Sequence, residues 1–270
     1  MDISNFSNRN KTYIMGILNI TPDSFSDGGQ YYDIDASLRQ AEKMVSEGVH
    51  IIDVGGESTR PGYTPVDAEE EAARVVPVIK ELRKYFNIPI SVDTYKSSVA
   101  RKALEAGADI VNDIWGFRQD PQMAHVVAEY GAMCVLTHNS DDTFYGDLVQ
   151  DVARELGESV RIALGAGVRK ERIIVDPGIG FGKTYEQNME VLRHLHDFAN
   201  MGYPLLVGAS RKSVICKTLG IKPAEGDAAT AAISVMSVQA GARFVRVHNV
   251  RMNADAIGMA EGILYGTGEK

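Results

Sequence analysis

Three observations predict a closed barrel of eight alternating strands and helices. Apolar, β-branched runs recur along the chain and finish on polar side chains, as in Ile51-Ile52-Asp53-Val54-Gly55 and Ile90-Ser91-Val92-Asp93. Continuous rather than alternating hydrophobicity marks strands buried on both faces, the signature of a parallel sheet. The second observation is punctuation: Gly48, Gly107, Gly131 and Gly241 each stand one or two residues before such a run, where a glycine can end a helix in the left-handed conformation. The third is the count, because the chain of 270 residues shows eight strand–helix units and no linker or break in composition. Barrels of this kind run to about 250 residues as one domain. An open doubly wound sheet is the alternative.

The strands are expected near 13–18, 50–54, 89–93, 109–112, 133–137, 172–175, 204–208 and 243–247. Between them the spacing predicts helices near 35–47, 67–85, 97–106, 121–130, 147–165, 184–198, 211–219 with 226–240, and 252–264. Residues 1–11 read as a polar N-terminal leader and 12–270 as the barrel domain. The segment after the first strand, Ile20 to Gly29, carries Pro22 and paired glycines that exclude regular structure, and it is long for a strand-to-helix turn.

A formal charge of −8, from 28 Lys and Arg against 36 Asp and Glu, argues against a general nucleic-acid or anionic-membrane binder. Cys134 and Cys216 lack metal-ligand spacing and read as reduced core residues. Neither a signal-like start nor an apolar stretch of about 18 residues is present, so a cytoplasmic location is expected.

In a barrel the strand ends converge on one face. Asn19, Asp53, Asp93, Asn112, Asp113, His138, Asp176, Arg246 and His248 are therefore expected around one mouth, fed by the loops 55–65 and 208–213. Asp93 could instead cap the next helix, and Asp53, inside its strand, could be structural. Several buried carboxylates and amides converging would need partners. A heteroaromatic ligand with a row of N–H donors suits them, because a carboxylate accepts two parallel donors well. Arg60, Lys212, Arg246 and His248 ask for an anion, and forked contacts from guanidinium to phosphate oxygens would supply it. No His-x-x-x-His pair, Cys pair or carboxylate cluster suggests a zinc or iron site.

With these residues in view, the chain resembles the dihydropteroate synthases, folate-pathway enzymes of the pterin-binding (β/α)8 barrel family. The resemblance rests on Met15 to Gly29, Asp53 to Gly62 (Asp-Val-Gly-Gly-Glu-Ser-Thr-Arg-Pro-Gly), Ser91 to Thr94, Asn112-Asp113, Asp176 to Lys183, Ser210 to Ser213 and Arg246-Val247-His248. It implies condensation of hydroxymethyl-dihydropterin pyrophosphate with para-aminobenzoate through a dissociative, carbocation-like transition state, with release of pyrophosphate. Asp93, Asn112 and Asp176 would hold the pterin edge, with Asp113 beside them, and Lys212 would reach its carbonyl and ring nitrogen. Arg60, Arg246 and His248 would grip the pyrophosphate, and Asn19 would help position Mg²⁺. Phe25, Thr59, Pro61, Phe181 and Ser213 would shape the aminobenzoate pocket, with Asp27 counted among the substrate contacts. The resemblance also implies a homodimer and a sulfonamide target. One departure stands out: Thr137-His138-Asn139 replaces the usual Met-His-Met after the fifth strand. The competing readings are a pterin-binding methyltransferase, which has no pyrophosphate to hold, and a non-catalytic pterin-binding barrel.

Overall fold

A strand with two covered faces is buried along both, and the strands here carry apolar side chains on both faces except the third, whose inner face holds Ser91 and Asp93. The computed structural model describes residues 6–8, 10–20, 34–57 and 66–266. Its strands are β1 (Tyr13–Asn19), β2 (Ile51–Gly55), β3 (Ile90–Asp93), β4 (Ile110–Asp113), β5 (Met133–Thr137), β6 (Ile173–Asp176), β7 (Leu206–Val207) and β8 (Phe244–Val247). They pair in parallel in the order β6-β5-β4-β3-β2-β1-β8-β7. The barrel closes between β6 and β7 through one parallel bridge, Val175 to Leu205, with the Val175 N–H donating to the Pro204 carbonyl at 3.0 Å. Pro204 has no N–H to return, so this seam is narrower than the others and β7 is shorter than its apolar run suggests.

The helices are α1 (Ile34–Ser46), α2 (Ala68–Tyr85), α3 (Ser97–Glu105), α4 (Met123–Tyr130), α5 (Leu148–Gly165), α6 (Tyr185–Arg193), α7 (Leu195–Ala199), α8 (Ser213–Leu219), α9 (Asp227–Gln239) and α10 (Val250–Tyr265). The helix expected over 184–198 breaks at His194, whose backbone leaves helical geometry at φ −106° and ψ 21°. The four punctuating glycines all have positive φ, from +57° at Gly131 to +111° at Gly107, as the sequence requires of them. No helix among the described residues is long and apolar enough to cross a membrane.

Strand residues alternate between the barrel interior and the helix layer. Tyr13, Met15, Ile51, Ile110, Met133, Val135, Ile174, Leu206 and Phe244 fill the interior, and Ile14, Ile52, Val92, Val111, Leu136 and Val245 pack outward on the helices. Phe6 joins the interior set, its ring edge-on to Tyr13 at 4.8 Å and to Phe244 at 5.2 Å. The segment expected to be a polar leader thus contributes a plug to the barrel floor, a burial that stabilises by about 1.5–3 kcal/mol for such a side chain.

Candidate active site

Two residues beyond four of the inner apolar positions the same alternation delivers a polar one: Ile51 to Asp53, Ile110 to Asn112, Ile174 to Asp176 and Phe244 to Arg246. Ser91 leads to Asp93 in the same way, and register sets Asp93 beside Asn112 and Thr137 beside Asp176. Arg246 lies between two carboxylates. Its Nε donates to Asp53 Oδ2 at 2.6 Å and its Nη2 to Asp93 Oδ2, while Asn112 Nδ2 donates to Asp53 Oδ2 at 3.2 Å. Asp53, Asp93, Asn112 and Asp176 are all buried. The second oxygens of Asp53 and Asp93, and the Ser91 hydroxyl, are buried with no partner among the described residues. A buried acceptor left without a donor costs about 1–3 kcal/mol, so these oxygens are built to receive N–H groups. Burial raises the Asp93 carboxyl above the usual carboxylate range, against the pull of Arg246.

On the opposite side, the loop from Asp176 to Lys183 folds back over the strand ends. Asp176 Oδ1 accepts the Gly178 N–H at 2.8 Å. Gly178 has φ +71°, and a Cβ there would lie 1.8 Å from the His138 carbonyl oxygen, so only glycine fits. Two ammonium groups hold this loop. Lys212 Nζ donates to the Ile179 carbonyl and sits 4.0 Å from the Phe181 ring centroid. Lys183 Nζ donates to the carbonyls of Gly178 at 3.1 Å and Phe181 at 3.0 Å, and meets His138 Nδ1 at 2.8 Å. Burial lowers Lys212 to about 8, with Asp176 opposing, and Lys183 to about 7. Burial likewise raises Asp176, with Lys212 opposing.

At the rim, Ser210 Oγ lies 2.9 Å from His248 Nδ1 and accepts the His248 N–H at 3.2 Å, which fixes that ring. Asn19, the last residue of β1, and Asp93 flank Gly55: Asn19 Oδ1 and Asp93 Cβ lie 3.5 and 3.6 Å from where a Gly55 Cβ would be. Ser213 opens α8 and is exposed.

The mouth therefore brings together Asp93, Asn112, Asp176, Lys212, Arg246 and Phe181, with Asn19, His248 and Ser213 at its rim. Asp93 is not a helix cap, since Lys96 occupies that position for α3. Asp53 proves to be a partner of Arg246. Asp113 is a correction. It follows inward-facing Asn112, so its carboxylate turns to the helix side, where it accepts the N–H groups of Trp115 at 2.7 Å and Phe117 at 3.0 Å. His138 is another, for it follows inward-facing Thr137 and sits between Lys183 and Glu155 of α5, its Nε2 3.2 Å from Glu155 Oε2. Of the two polar exchanges around it, Asn139 spends its side chain on the Ser140 N–H at 2.9 Å, leaving Thr137 as the one on the inner face. Phe25, Asp27, Thr59, Arg60 and Pro61 lie outside the described residues. Lys183 is the residue that sequence reasoning passed over; its place at the end of a glycine-rich loop was the available signal.

Comparisons with known proteins show the family. The family described as pterin binding enzyme matches residues 15–248. The dihydropteroate synthase of Clostridium beijerinckii is 52% identical over 255 residues, covering 94% of this chain and 95% of its own. Among solved structures, the Clostridium difficile dihydropteroate synthase with pteroic acid superposes with a TM-score of 0.92 at 49% identity, covering 94% of this chain and 97% of its own. The Xanthomonas albilineans enzyme with 4-aminobenzoic acid gives 0.91 at 40% identity, covering 95% and 94%. The chain belongs to the pterin binding enzyme family and, within it, to the dihydropteroate synthases, which are transferases of folate synthesis.

Proposed function

We propose that the chain joins hydroxymethyl-dihydropterin pyrophosphate to para-aminobenzoate and releases pyrophosphate. One observation carries this reading: buried oxygens of Asp93 and Asp53, without partners among the described residues, cluster with Asn112 and Asp176, with a lysine ammonium across the mouth. That is an acceptor row for the N–H edge of an amino-pyrimidinone and a donor for its carbonyl. As the bond from the pterin methylene to pyrophosphate lengthens, positive charge grows on the ring and negative charge on the leaving group. Asp93 and Asp176 stabilise the first, Lys212 orients the ring, and His248, steadied by Ser210, faces the second. Arg246 uses Nε and Nη2 on its two carboxylates, which leaves Nη1 for a phosphate oxygen. Arg60 would join it. The weakly basic aniline nitrogen needs placement more than deprotonation, so a pocket shaped by Phe25, Asp27, Thr59, Pro61, Phe181 and Ser213 would contribute chiefly by orientation.

Among the described residues no three His, Cys, Asp or Glu side chains converge into a metal cage. Mg²⁺ does not require one, because it is commonly held by one or two protein oxygens together with phosphate oxygens and water. The Asn19 amide oxygen, at a strand end beside Asp93, fits that mode. When bound, the ion would neutralise charge on the departing pyrophosphate.

A cytoplasmic homodimer completes the proposal. Its support is the free cysteines Cys134 and Cys216, and the apolar face formed by Met236 of α9 with Met259 and Ile263 of α10, all more than half exposed.

The test is pyrophosphate release from the pterin pyrophosphate with Mg²⁺, with and without para-aminobenzoate, in wild type and Lys212→Ala. Release that depends on the amine, yields dihydropteroate and falls roughly 10²–10³-fold in the variant is expected. Pterin binding with no pyrophosphate under any condition would sink the synthase reading.

A further inference from the structure

One carboxylate outside the mouth joins the two turns that carry Lys212 and His248. Asp227, the first residue of α9, accepts Arg211 Nε at 2.7 Å and Nη2 at 2.9 Å on its two oxygens. Its Oδ2 also accepts Asn249 Nδ2 at 3.0 Å. Arg211 immediately precedes Lys212, and Asn249 immediately follows His248. Asn249 is itself fixed as the N-cap of α10, its Oδ1 accepting the Met252 N–H at 3.1 Å.

Arg211 stands in the left-handed region at φ +57°, which only Phe117 shares among the described non-glycine residues. Such a conformation persists in a side-chain-bearing residue only when its surroundings hold it. Phe117 is held through its N–H by the Asp113 carboxylate, and Arg211 through its side chain by Asp227. The left-handed residue is what turns the chain between Ser210, bonded to His248, and Lys212, which reaches into the mouth. The Arg211 guanidinium holds Asp227 below its ordinary range, with Asn249 and His248 adding to the effect.

We propose that Asp227 is a positioning residue that keeps Lys212 and His248 in register through Arg211 and Asn249. The inference rests on the synthase reading and deepens it. Lys212 and His248 would grip opposite ends of one substrate, the pterin ring and the pyrophosphate, and the cleaving bond lies between them. Displacing either group by about 1 Å is enough to cost on the order of 100-fold in rate. Asp227 touches neither substrate and acts by fixing the distance between the groups that do.

The experiment compares steady-state turnover and thermal midpoint of the full chain in wild type, Asp227→Asn, Arg211→Gly and the double variant. Wild-type turnover tests the synthase reading by itself; if it is absent, that reading and this inference fall together. With wild type active, Asp227→Asn keeps an acceptor for Asn249 but loses the charge that holds Arg211. Its kcat should fall roughly 10- to 100-fold and its KM for the pterin pyrophosphate rise, with little change in thermal midpoint. Glycine adopts the left-handed turn without an anchor, so in the Arg211→Gly background the same change should cost less than about threefold. Wild-type kcat and KM in Asp227→Asn would overturn the proposal. So would an equal loss in both backgrounds, or a loss that disappears at a temperature where the variant is fully folded.

Discussion

On the β2–β3–β8 side of the mouth, the Arg246 guanidinium lies between the Asp53 and Asp93 carboxylates; on the β6–β7 side, the Lys183 and Lys212 ammonium groups rest on the carbonyls of Gly178, Ile179 and Phe181. The two sides bury charge by different means. A guanidinium stays ionised at any working pH and offsets one of the two carboxylate charges, while burial raises the Asp93 carboxyl, so that side is a preformed floor. A carbonyl offers a dipole rather than a charge, and a lysine held that way is pushed toward its neutral form by burial. It can also be surrendered to a ligand for the cost of one hydrogen bond. Lys212 spends one of its three N–H donors on the Ile179 carbonyl and can turn the others to a ligand, whereas Arg246 is held by both carboxylates.

The largest effect expected from this contrast comes from Arg246→Met. Removing the one cation bonded to Asp53 and Asp93 among the described residues leaves two buried carboxylates uncompensated, which should destabilise by about 3–5 kcal/mol and abolish turnover. Urea unfolding measures the first, and adding Asp53→Asn should recover part of it. A variant that unfolds like wild type would show that the floor is not a charge-paired unit.

Lys183→Met probes the other side at smaller cost. Two loop carbonyls lose a donor, but a poorly solvated ammonium is removed as well, so stability near neutral pH should change little. The loop carrying Phe181 loses its lower staple, and kcat/KM should drop about 10-fold. The pH dependence separates the sides further. Burial lowers Lys183 to about 7 and Lys212 to about 8, so above those values the folded chain releases protons that the unfolded chain keeps until about 10.4. The unfolded state then binds more protons, and the contribution of these lysines to stability rises with pH. Turnover should move the opposite way above about 8, as Lys212 loses the proton it would donate to the pterin. Urea melts at successive pH values should show a flatter rise between 7 and 8 in Lys183→Met than in wild type. Parallel curves for the two proteins would mean that Lys183 is fully charged and solvated.

The floor was far more legible in the sequence than the loop side. Asp53, Asn112 and Arg246 each sit two residues past a buried apolar residue in a strand, and Asp93 two past the buried Ser91, so period-two alternation alone carries them inward. The same rule, applied strictly, turns Asp113 and His138 outward, because each follows an inward residue; reading them only as strand-end polar residues hid this. What no local pattern can encode is the partner. Lys183 and His138, separated by 45 residues, meet because β5 and β6 lie side by side, and Arg211 and Asp227, separated by 16, meet because the connection from β7 to β8 folds back on itself. The narrow β6–β7 seam is similar: its limit is Pro204, but its pairing with Val175 depends on closure.

Asp113→Asn should have the smallest effect on turnover, and it decides which surface Asp113 belongs to. Its carboxylate accepts two backbone N–H groups in the turn after β4, and an amide can accept with one atom only, setting its NH₂ against the second N–H. A loss of about 1–3 kcal/mol is expected, with kcat and KM within about twofold of wild type. Burial raises Asp113 to about 7, the Trp115 and Phe117 N–H groups opposing. The folded chain therefore keeps this proton at pH values where the unfolded chain has released it, and the residue's contribution to stability, full below about 4, is lost as pH rises through 7. The amide has no such titration, so the deficit of the variant should be larger at pH 5 than at pH 8. If turnover falls while the melting curve is unchanged at both pH values, the carboxylate serves the substrate and not the turn, and the boundary between floor and shell must be redrawn through β4.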